Sequence, residues 1–378
     1  MSALFSPLSI GALTLPNRVM ISPMCQYSGK GGVAQPWHMA QYGRLAMGGA
    51  GLVMVEMTSV SAQGLSTHGD LGLWTDEQEE ALARIADLIR SLGAVPGIQL
   101  GHAGRKASSQ RPWHGGKPLS EIDLTERGET PWRIVAPSAV PITPAHPVPA
   151  ALSLEEIETI KADFVQSSAR AMRAGFDLVE LHGAHGYLLN QFVSPLSNLR
   201  DDAYGGDLAG RTRLPLEICR AVRDRIGPEK GLFIRLSVSD GVDGGQELEQ
   251  TIEFARALKT AGVDALDCSS GGIVGAANAT RLVRGPGYQV PFARALRETV
   301  GIPTIAVGLI LDGPQAEAVV QDGSADIVAI ARAALDDPNW PHHAREAISG
   351  RDYSDWPPQA GWWLQNRAAL LDRLAAGE

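Results

Sequence analysis

One unit recurs along this chain and limits the folds open to it: an amphipathic helical stretch, a glycine, and a short run of apolar, mostly β-branched residues. A glycine at the end of a helix supplies its C-cap, and a continuous apolar run suits a strand that is buried on both faces. Four copies are clear: Ala50-Gly51 before residues 52–55, Ala174-Gly175 before 178–181, Ala261-Gly262 before 265–268, and Asp322-Gly323 before 327–330. Helices that alternate with such strands indicate a parallel sheet with right-handed crossovers.

Further apolar runs fill the gaps between these copies, at residues 19–21, 95–100, 232–236 and 303–307. The total of about eight strands is the number that closes a (β/α)8 barrel. Helix signals fit between the strands. Thr75 is placed to cap a helix that runs to Leu92, and Ser153 opens a capping box for a helix that reaches Ala174. The predicted fold is therefore an α/β barrel.

Two stretches break this rhythm. Residues 102–149 carry Gly, Pro, Trp and charged residues without a lasting period, and we expect a long excursion after the third strand. The second stretch is a C-terminal tail from Asp352. Because no other segment has the composition of a domain linker, we predict a single domain over residues 1–378.

Composition excludes several classes of function. The chain has 33 basic and 42 acidic residues, a net charge of −9, and no basic run that would neutralise phosphates, so we expect no nucleic-acid partner. It has no uncharged apolar stretch of about 18 residues and no leader-like N-terminus, so we expect a cytoplasmic protein without a membrane partner. The three cysteines have no Cys-x-x-Cys spacing, which argues against disulfides and against zinc or iron–sulfur sites.

Unusual residues fall where the predicted strands end. Catalytic groups of (β/α)8 barrels lie at the C-terminal ends of the strands, so these residues are expected to share one rim. They are residues 22–27, Glu56 and Met57, Gln99, His182, Arg235, residues 269–272, Gly308, and Ala331 with Arg332.

The last two strand ends suggest a phosphate site. Barrels of this class often hold phosphate between the loops after strands seven and eight. Gly308 permits a close backbone approach, Arg332 offers a bidentate guanidinium, and a helix beginning near Gly313 would add its N-terminus. We infer a phosphorylated cofactor; the alternative is a turn glycine and an arginine in a surface ion pair.

The pair His182-x-x-His185 has three interpretations. Two imidazoles at this spacing suit zinc, but no third ligand is nearby, since Glu180 is expected to point away along the strand; we predict no metal. Structural histidines are the second interpretation. In the third, both rings donate to one carbonyl oxygen as it gains negative charge, and Tyr187 gives a proton to carbon.

Three other residues bear on the cofactor. The Arg235 side chain is expected to point into the barrel, where strand positions are normally apolar. A buried charge needs an anionic partner, and a reduced flavin would provide one. Gln99 has both the donor and the acceptor that the pyrimidine edge of a flavin requires. Cys25 is either an inert buried thiol or part of the site.

A dinucleotide fingerprint competes with this interpretation. Gly29-x-Gly31-x-x-Ala34 matches G-x-G-x-x-A, and Glu56 follows at about the right distance. The glycines do not follow a strand directly, however, and the next helix begins only near Pro36. We therefore do not predict a Rossmann site.

Taken together, the motifs resemble the Old Yellow Enzyme family of NAD(P)H:flavin oxidoreductases, over nearly the whole chain. They are Ser22-Pro23-Met24-Cys25-x-Tyr27, Gln99-Leu100-x-His102-Ala103-Gly104-Arg105, His182-x-x-His185-Gly-Tyr187-Leu188-x-x-x-Phe192-x-Ser194-Pro195, Asn198-x-Arg200-x-Asp202-x-Tyr204-Gly205-Gly206, and Arg332. Cysteine in the first strand resembles the branch that contains xenobiotic reductase and the thermophilic-type ene-reductases.

The resemblance implies one FMN-binding TIM barrel that reduces activated alkenes, such as α,β-unsaturated carbonyl compounds, in a ping-pong cycle. NAD(P)H is the reductant, with NADPH expected over NADH. The implied FMN contacts are Ser22, Pro23, Met24, Cys25, Met57, Gln99, Arg235, Gly308, Ala331 and Arg332. Met57 and Ala331 depart from the family, where a small residue and a glycine are common at these positions. Cys25 would tune the flavin potential and would not act as a nucleophile.

For the substrate, the resemblance implies that His182 and His185 hold the carbonyl, that Tyr187 donates the proton and that Tyr27 lines the pocket. It also implies a homodimer or homotetramer in which the tail reaches a neighbouring active site. Trp362 or Trp363 would make that contact; the alternative is that both pack on their own subunit. A flavin-binding redox sensor is the rival function. The iron–sulfur dienoyl-CoA reductase relatives are a further rival, against which the cysteine count argues.

Overall fold

A computed structural model describes residues 2–274 and 280–377. The strands are β1 (Leu8–Ile10), β2 (Leu13–Leu15), β3 (Val19–Ile21), β4 (Leu52–Ser59), β5 (Leu71–Gly72), β6 (Val95–Gly101), β7 (Val135–Ala136), β8 (Ala150–Ala151), β9 (Leu178–Gly183), β10 (Gly231–Ser237), β11 (Ala265–Ser269), β12 (Thr304–Val307) and β13 (Ile327–Ile330). The helices are α1 (Pro36–Met47), α2 (Asp76–Ser91), α3 (Glu121–Arg127), α4 (Leu154–Arg173), α5 (Leu188–Val193), α6 (Leu208–Ile226), α7 (Leu248–Thr260), α8 (Val290–Val300), α9 (Gly313–Gln321), α10 (Arg332–Asp336), α11 (Trp340–Ser349) and α12 (Pro358–Ala376).

Eight parallel strands form a closed barrel in the order β3-β4-β6-β9-β10-β11-β12-β13, and β13 pairs back with β3. Each predicted apolar run coincides with one of them, and the predicted bounds of β3 and β13 are those observed. The helices surround the barrel as crossovers, so the predicted (β/α)8 fold is confirmed. The hairpin β1–β2 precedes the barrel, and its apolar side chains join the core at the barrel floor.

The predicted helix caps are present. The Thr75 hydroxyl accepts a hydrogen bond from Gln78 N at 3.3 Å, and the Ser153 hydroxyl accepts one from Glu156 N at 3.1 Å. Both form capping boxes, which satisfy the free amides of the first turn. Gly175, which follows α4, has φ +90°, as a C-terminal glycine requires.

The predicted cap at Gly51 is wrong. Helix α1 ends at Met47, and the left-handed residue after it is Gly49, with φ +89°. Gly51 is needed for a different reason: a Cβ there would lie 2.3 Å from Asn17 O, because the two backbones pass closely at the start of β4. A sequence pattern does not separate these two uses of glycine.

Barrel side chains divide the interior into two levels. Met20, Leu52, Leu178, Phe233 and Ile305 form an apolar floor with the hairpin. A larger apolar cluster fills the space between the strands and the helices. Above the floor, at the C-terminal half of the strands, inward-facing positions become polar. The fold thus confines the chemistry to one end of the barrel.

The excursion and the tail contain more structure than the sequence suggested. The excursion contains the short helix α3, and β7 within it pairs with β8 just beyond its end. The tail is largely helical, as α12 spans Pro358–Ala376. Within residues 2–274 and 280–377, no helix is long and apolar enough to cross a membrane.

Candidate active site

A cavity of about 1070 Å³ opens at the C-terminal ends of the barrel strands. Of the residues predicted for the site, it is lined by Tyr27, His185, Tyr187, Arg235, Gly308, Ala331 and Arg332. These residues come from loops far apart in the sequence, and the closed barrel brings them to one rim. The excursion contributes Lys106, Gln110 and His146 to the same cavity.

His182, His185 and Tyr187 form a compact aromatic group at the end of β9. The His182 ring lies 5.2 Å from the His185 ring and 4.8 Å from the Tyr187 ring, measured between centroids and edge-on in both cases. His185 has a left-handed backbone, with φ +56°. That conformation is uncommon for a residue with a side chain, and such strain persists only where the surroundings enforce it.

Residues of the neighbouring strands hold His185 in place. The Ser237 hydroxyl accepts a hydrogen bond from His185 N at 2.9 Å and donates to Gly271 O at 2.7 Å. The Ser269 hydroxyl lies 2.6 Å from His185 Nε2. Gly272 packs directly on the His185 backbone, since a Cβ on Gly272 would lie 2.4 Å from His185 Cα. The serines and the glycine explain how the strained backbone is maintained.

Sequence reasoning missed Ser237. Its signal was present, because Ser237 follows Arg235 by two residues and therefore faces the same side of β10.

The surroundings keep both imidazoles neutral and the phenol protonated. Burial, and next the charge of Arg235, lowers the pKa values of His182 and His185 well below the usual range. Burial, and next the Cys25 thiol and Asp70, raises the pKa of Tyr187 well above its usual value. Each imidazole therefore has one N–H to donate and the phenol retains its proton, as carbonyl binding and proton donation require.

Lys106 is a second residue that sequence reasoning missed. Its Nζ donates to His185 O at 2.6 Å from the turn that follows β6. Burial lowers the pKa of Lys106 to about 8, and its charge contributes to the low pKa values of both histidines. Lys106 directly follows Arg105, the last residue of the motif that begins at Gln99, and this position was the sequence signal for it.

The prediction that Glu180 points away from His182 is wrong. Residues two apart in a strand face the same side, and Glu180 lies inside the barrel below His182. It accepts a hydrogen bond from Gln99 Nε2 at 2.8 Å. In the part of the chain that the structure describes, no three His, Cys, Asp or Glu side chains are grouped to hold a metal ion.

Arg235 already has an anionic partner in the protein. Its Nε lies 3.3 Å from Asp267 Oδ2, and both side chains are buried. Asp267 thus supplies an anionic partner of the kind that the sequence predicted for Arg235. The guanidinium still lines the cavity, so the same side chain is available to an anionic ligand.

The loop after β3 carries Ser22, Pro23, Met24 and Cys25. Ser22 N donates to Ile330 O at 2.9 Å, while the Ser22 hydroxyl is buried without a partner among the described residues. Such an atom is costly unless a ligand completes it. Cys25 is half-buried, and burial followed by the charges of Asp70 and Glu56 raises the pKa of its thiol well above the usual value. The thiol form is a poor nucleophile.

Glu56 anchors this loop and has no cavity-facing role. Its carboxylate accepts from Gln26 N at 3.0 Å and from the Tyr42 hydroxyl at 2.8 Å. These hydrogen bonds give a structural reason for an acidic residue at position 56, where it also matched the acidic position of the dinucleotide fingerprint. Next to it, Met57 is buried, and its side chain packs beside Gly101 at the end of β6.

The phosphate end has the predicted glycine and arginine. Gly308 has φ +115°, and a Cβ on it would lie 2.9 Å from Gln289 Nε2, so only glycine fits. Arg332 begins α10 and lines the cavity beside Ala331.

The expected contribution of the helix near Gly313 is wrong. The first turn of α9 is closed by Asp312, whose carboxylate accepts from Gln315 N at 2.8 Å, and Gly313 is packed against Ala344. The N-terminus of this helix is therefore not part of the cavity wall.

Trp362 and Trp363 lie on α12, and their exposed fractions are 61% and 67%. Neither lines the cavity of its own chain, and the two rings pack edge-on against each other with centroids 4.6 Å apart. A contact between these rings and substrate would require a second copy of the chain.

The fold and the cavity define a class of protein: a (β/α)8 barrel whose mouth, lined by Gly308, Arg332 and Arg235, has room for a phosphorylated cofactor of the size of a flavin nucleotide. The unpartnered Ser22 hydroxyl and the Gly308 cradle fit such a group. The model of the NADH:flavin oxidoreductase / NADH oxidase family matches residues 3–350. The chain therefore belongs to this family, as its resemblance to Old Yellow Enzymes implied.

Individual relatives agree with this assignment. The chain is 40% identical to the NADPH dehydrogenase of Geobacillus thermodenitrificans, over 96% of this chain and 99% of the relative. It is also 40% identical to the NADPH dehydrogenase of Bacillus subtilis, over 95% and 99%. Among solved structures, morphinone reductase in complex with tetrahydroNAD is 29% identical with a TM-score of 0.74, covering 93% of this chain and 92% of that one. An Old Yellow Enzyme homologue from Zymomonas mobilis is 27% identical with a TM-score of 0.75, covering 92% and 93%.

Proposed function

We propose that this protein is an FMN-dependent NADPH dehydrogenase that reduces the carbon–carbon double bond of α,β-unsaturated carbonyl compounds. The observation that carries the proposal is a neutral imidazole and a protonated phenol, His185 and Tyr187, on the wall of a cavity that Arg235 and Gly308 also line, with the neutral imidazole of His182 packed against both rings. NADPH as reductant is supported by the names of the bacterial relatives.

The residues that would hold FMN are those at the strand ends. Arg332 and the Gly308 backbone suit its phosphate, while Gln99 and Arg235 suit the polar edge of its ring system. The loop of residues 22–25 and the side chain of Met57 would pack against the ring. When bound, FMN supplies the redox chemistry, accepting a hydride from NADPH and passing it to the β-carbon of the alkene.

The chain's own residues orient the substrate and control its charge. His182 and His185 would each donate an N–H to the carbonyl oxygen, which polarises the double bond toward the β-carbon. The Ser269 hydroxyl occupies His185 Nε2; when it donates to that atom, the ring proton is on Nδ1 and faces the substrate as the donor. Tyr187 would then deliver its phenolic proton to the α-carbon.

An anaerobic stopped-flow experiment tests the proposal. The FMN-loaded protein is reduced with NADPH and mixed with cyclohexenone, and the return of flavin absorbance is compared with that produced by dioxygen alone. We expect cyclohexenone to reoxidise the flavin faster than dioxygen does. Reoxidation no faster than with dioxygen would favour a flavin-binding redox sensor with slow turnover.

A further inference from the structure

A layer of buried polar side chains lies directly beneath the proposed flavin position. Gln99, Glu180, Arg235 and Asp267 come from β6, β9, β10 and β11, which are consecutive neighbours in the barrel. Gln99 is in register with Glu180, and Arg235 is in register with Asp267. All four are buried, at a level between the apolar floor and the cavity. Polar groups at this depth need a reason, because burial without full pairing is costly.

The pairing within this layer is incomplete. Gln99 Nε2 donates to one oxygen of Glu180 at 2.8 Å, while Glu180 Oε2 has no hydrogen-bond partner in the described part of the chain. Asp267 is held only by the charge of Arg235, at 3.3 Å, and neither of its oxygens makes a hydrogen bond to the described residues. Among the described residues, Asp267 therefore has the ion pair with Arg235, and Glu180 has a single hydrogen bond, from Gln99.

Burial disfavours the charged form of both carboxyl groups. Burial, and next repulsion from Asp267, raises the pKa of Glu180 to about 8, against the opposing effects of Arg235 and Gln99. Burial also raises the pKa of Asp267, against the effect of Arg235. The 3.3 Å ion pair makes Asp267 the counter-ion of Arg235.

We propose that Glu180 and Asp267 are positioning residues for the flavin, Glu180 by fixing the orientation of the Gln99 amide and Asp267 by offsetting the charge of Arg235. This inference rests on the proposed function, because it assumes that FMN binds above the layer. With Nε2 committed to Glu180, the Gln99 carbonyl oxygen is turned away from that carboxyl and can accept from an imide N–H. Asp267 sets how much positive charge remains for an anionic reduced ring.

Glu180 is tested by two substitutions and one binding measurement. In Glu180→Gln the side chain keeps an oxygen that accepts from Gln99, whereas in Glu180→Leu that acceptor is lost. We expect the dissociation constant of FMN, measured by quenching of flavin fluorescence on binding, to rise about tenfold in Glu180→Leu. It should stay within about threefold of wild type in Glu180→Gln. Equal constants in both variants and wild type would overturn the positioning role of Glu180.

Asp267 is tested by the nearly isosteric Asp267→Asn and the midpoint potential of the bound flavin, measured by anaerobic dye-equilibrated titration. Removal of the counter-ion exposes the reduced flavin to the full charge of Arg235, so we expect a more positive potential than in wild type. An unchanged or more negative potential would overturn the role of Asp267. Far-ultraviolet circular dichroism confirms that each variant is folded.

A failure of the proposed function and a failure of this inference give different results. If the wild-type protein takes up no FMN, the proposed function fails first. If wild type binds FMN and the variants match it in affinity and potential, only the roles of Glu180 and Asp267 fail. Neither readout depends on turnover with an alkene.

Discussion

His185 offers the sharpest mutational test of the carbonyl-holding face. His185→Ala removes the imidazole while leaving Ser237 and Gly271 in place around the backbone. An N–H that stabilises developing charge on an oxygen contributes about 3–4 kcal/mol, which corresponds to a rate loss on the order of 10²–10³. We expect that loss in the reoxidation of the reduced enzyme by cyclohexenone. His182→Ala should lose a comparable factor, since its ring stands on the same face.

His185→Asn is the matched control. Asparagine restores a side-chain N–H and tolerates the left-handed backbone, at φ +56°, better than most residues do. We expect its reoxidation rate to lie within about tenfold of wild type. The assay mixes pre-reduced holoenzyme with cyclohexenone in a stopped-flow instrument under anaerobic conditions. A wild-type rate in His185→Ala, or an asparagine variant as slow as the alanine variant, would refute the role of a donated hydrogen bond.

Three further predictions follow from the same geometry. Tyr187→Phe keeps the ring beside His182 but removes the proton donor, so reoxidation by cyclohexenone should slow by about 10²–10⁴; an unchanged rate would assign the proton to another group. Gly308→Ala places a methyl group against Gln289 and strains a backbone at φ +115°, so FMN affinity should fall about tenfold or more. Gly31→Ala, at a left-handed position with open space, should leave that affinity unchanged, and equal losses in both variants would contradict a local cradle. Burial raises the pKa of Glu56 from 4.5 to about 8, so the stability that its proton provides is present below pH 4.5 and is lost as the pH rises through 8. The thermal midpoint of Glu56→Gln should therefore fall less between pH 5 and pH 8 than that of wild type, and parallel curves would count against this burial effect.

The fold could be predicted because its signals are local. Apolar runs, helix caps and glycines act within a few residues, and together they located all eight barrel strands and the caps of α2 and α4. The prediction that Gly51 caps a helix was wrong because Gly51 is required by the close approach of the Asn17 backbone, which is a tertiary contact. The short helix in the excursion was missed because seven residues are too few to show a period.

The candidate site was predictable in its position and less so in its supporting contacts. Strand ends placed Tyr27, His185, Tyr187 and Arg332 around one cavity. Lys106 and Ser237 stand close to Arg105 and Arg235, which the sequence singled out, but their contacts with His185 join segments far apart in the chain, so no local pattern indicated His185 as their partner. The predicted orientation of Glu180 was wrong for a different reason. Side chains two residues apart in a strand face the same side, so the sequence already placed Glu180 on the face of His182.

Some expectations remain predictions. The roles assigned to the individual site residues, the single domain, the assembly into a homodimer or homotetramer and the cytoplasmic location belong to this group. The exposed Trp362 and Trp363 connect the question of assembly to the active site, because neither lines the cavity of its own chain and a contact with substrate would need a second copy.

The most direct measurement is the absorption spectrum of the purified protein before and after anaerobic addition of NADPH. We predict a yellow protein whose released cofactor is FMN and whose flavin absorbance is bleached by NADPH and restored by cyclohexenone. A colourless protein that cannot be reconstituted with FMN, or a bound flavin that NADPH does not reduce, would contradict the proposed function.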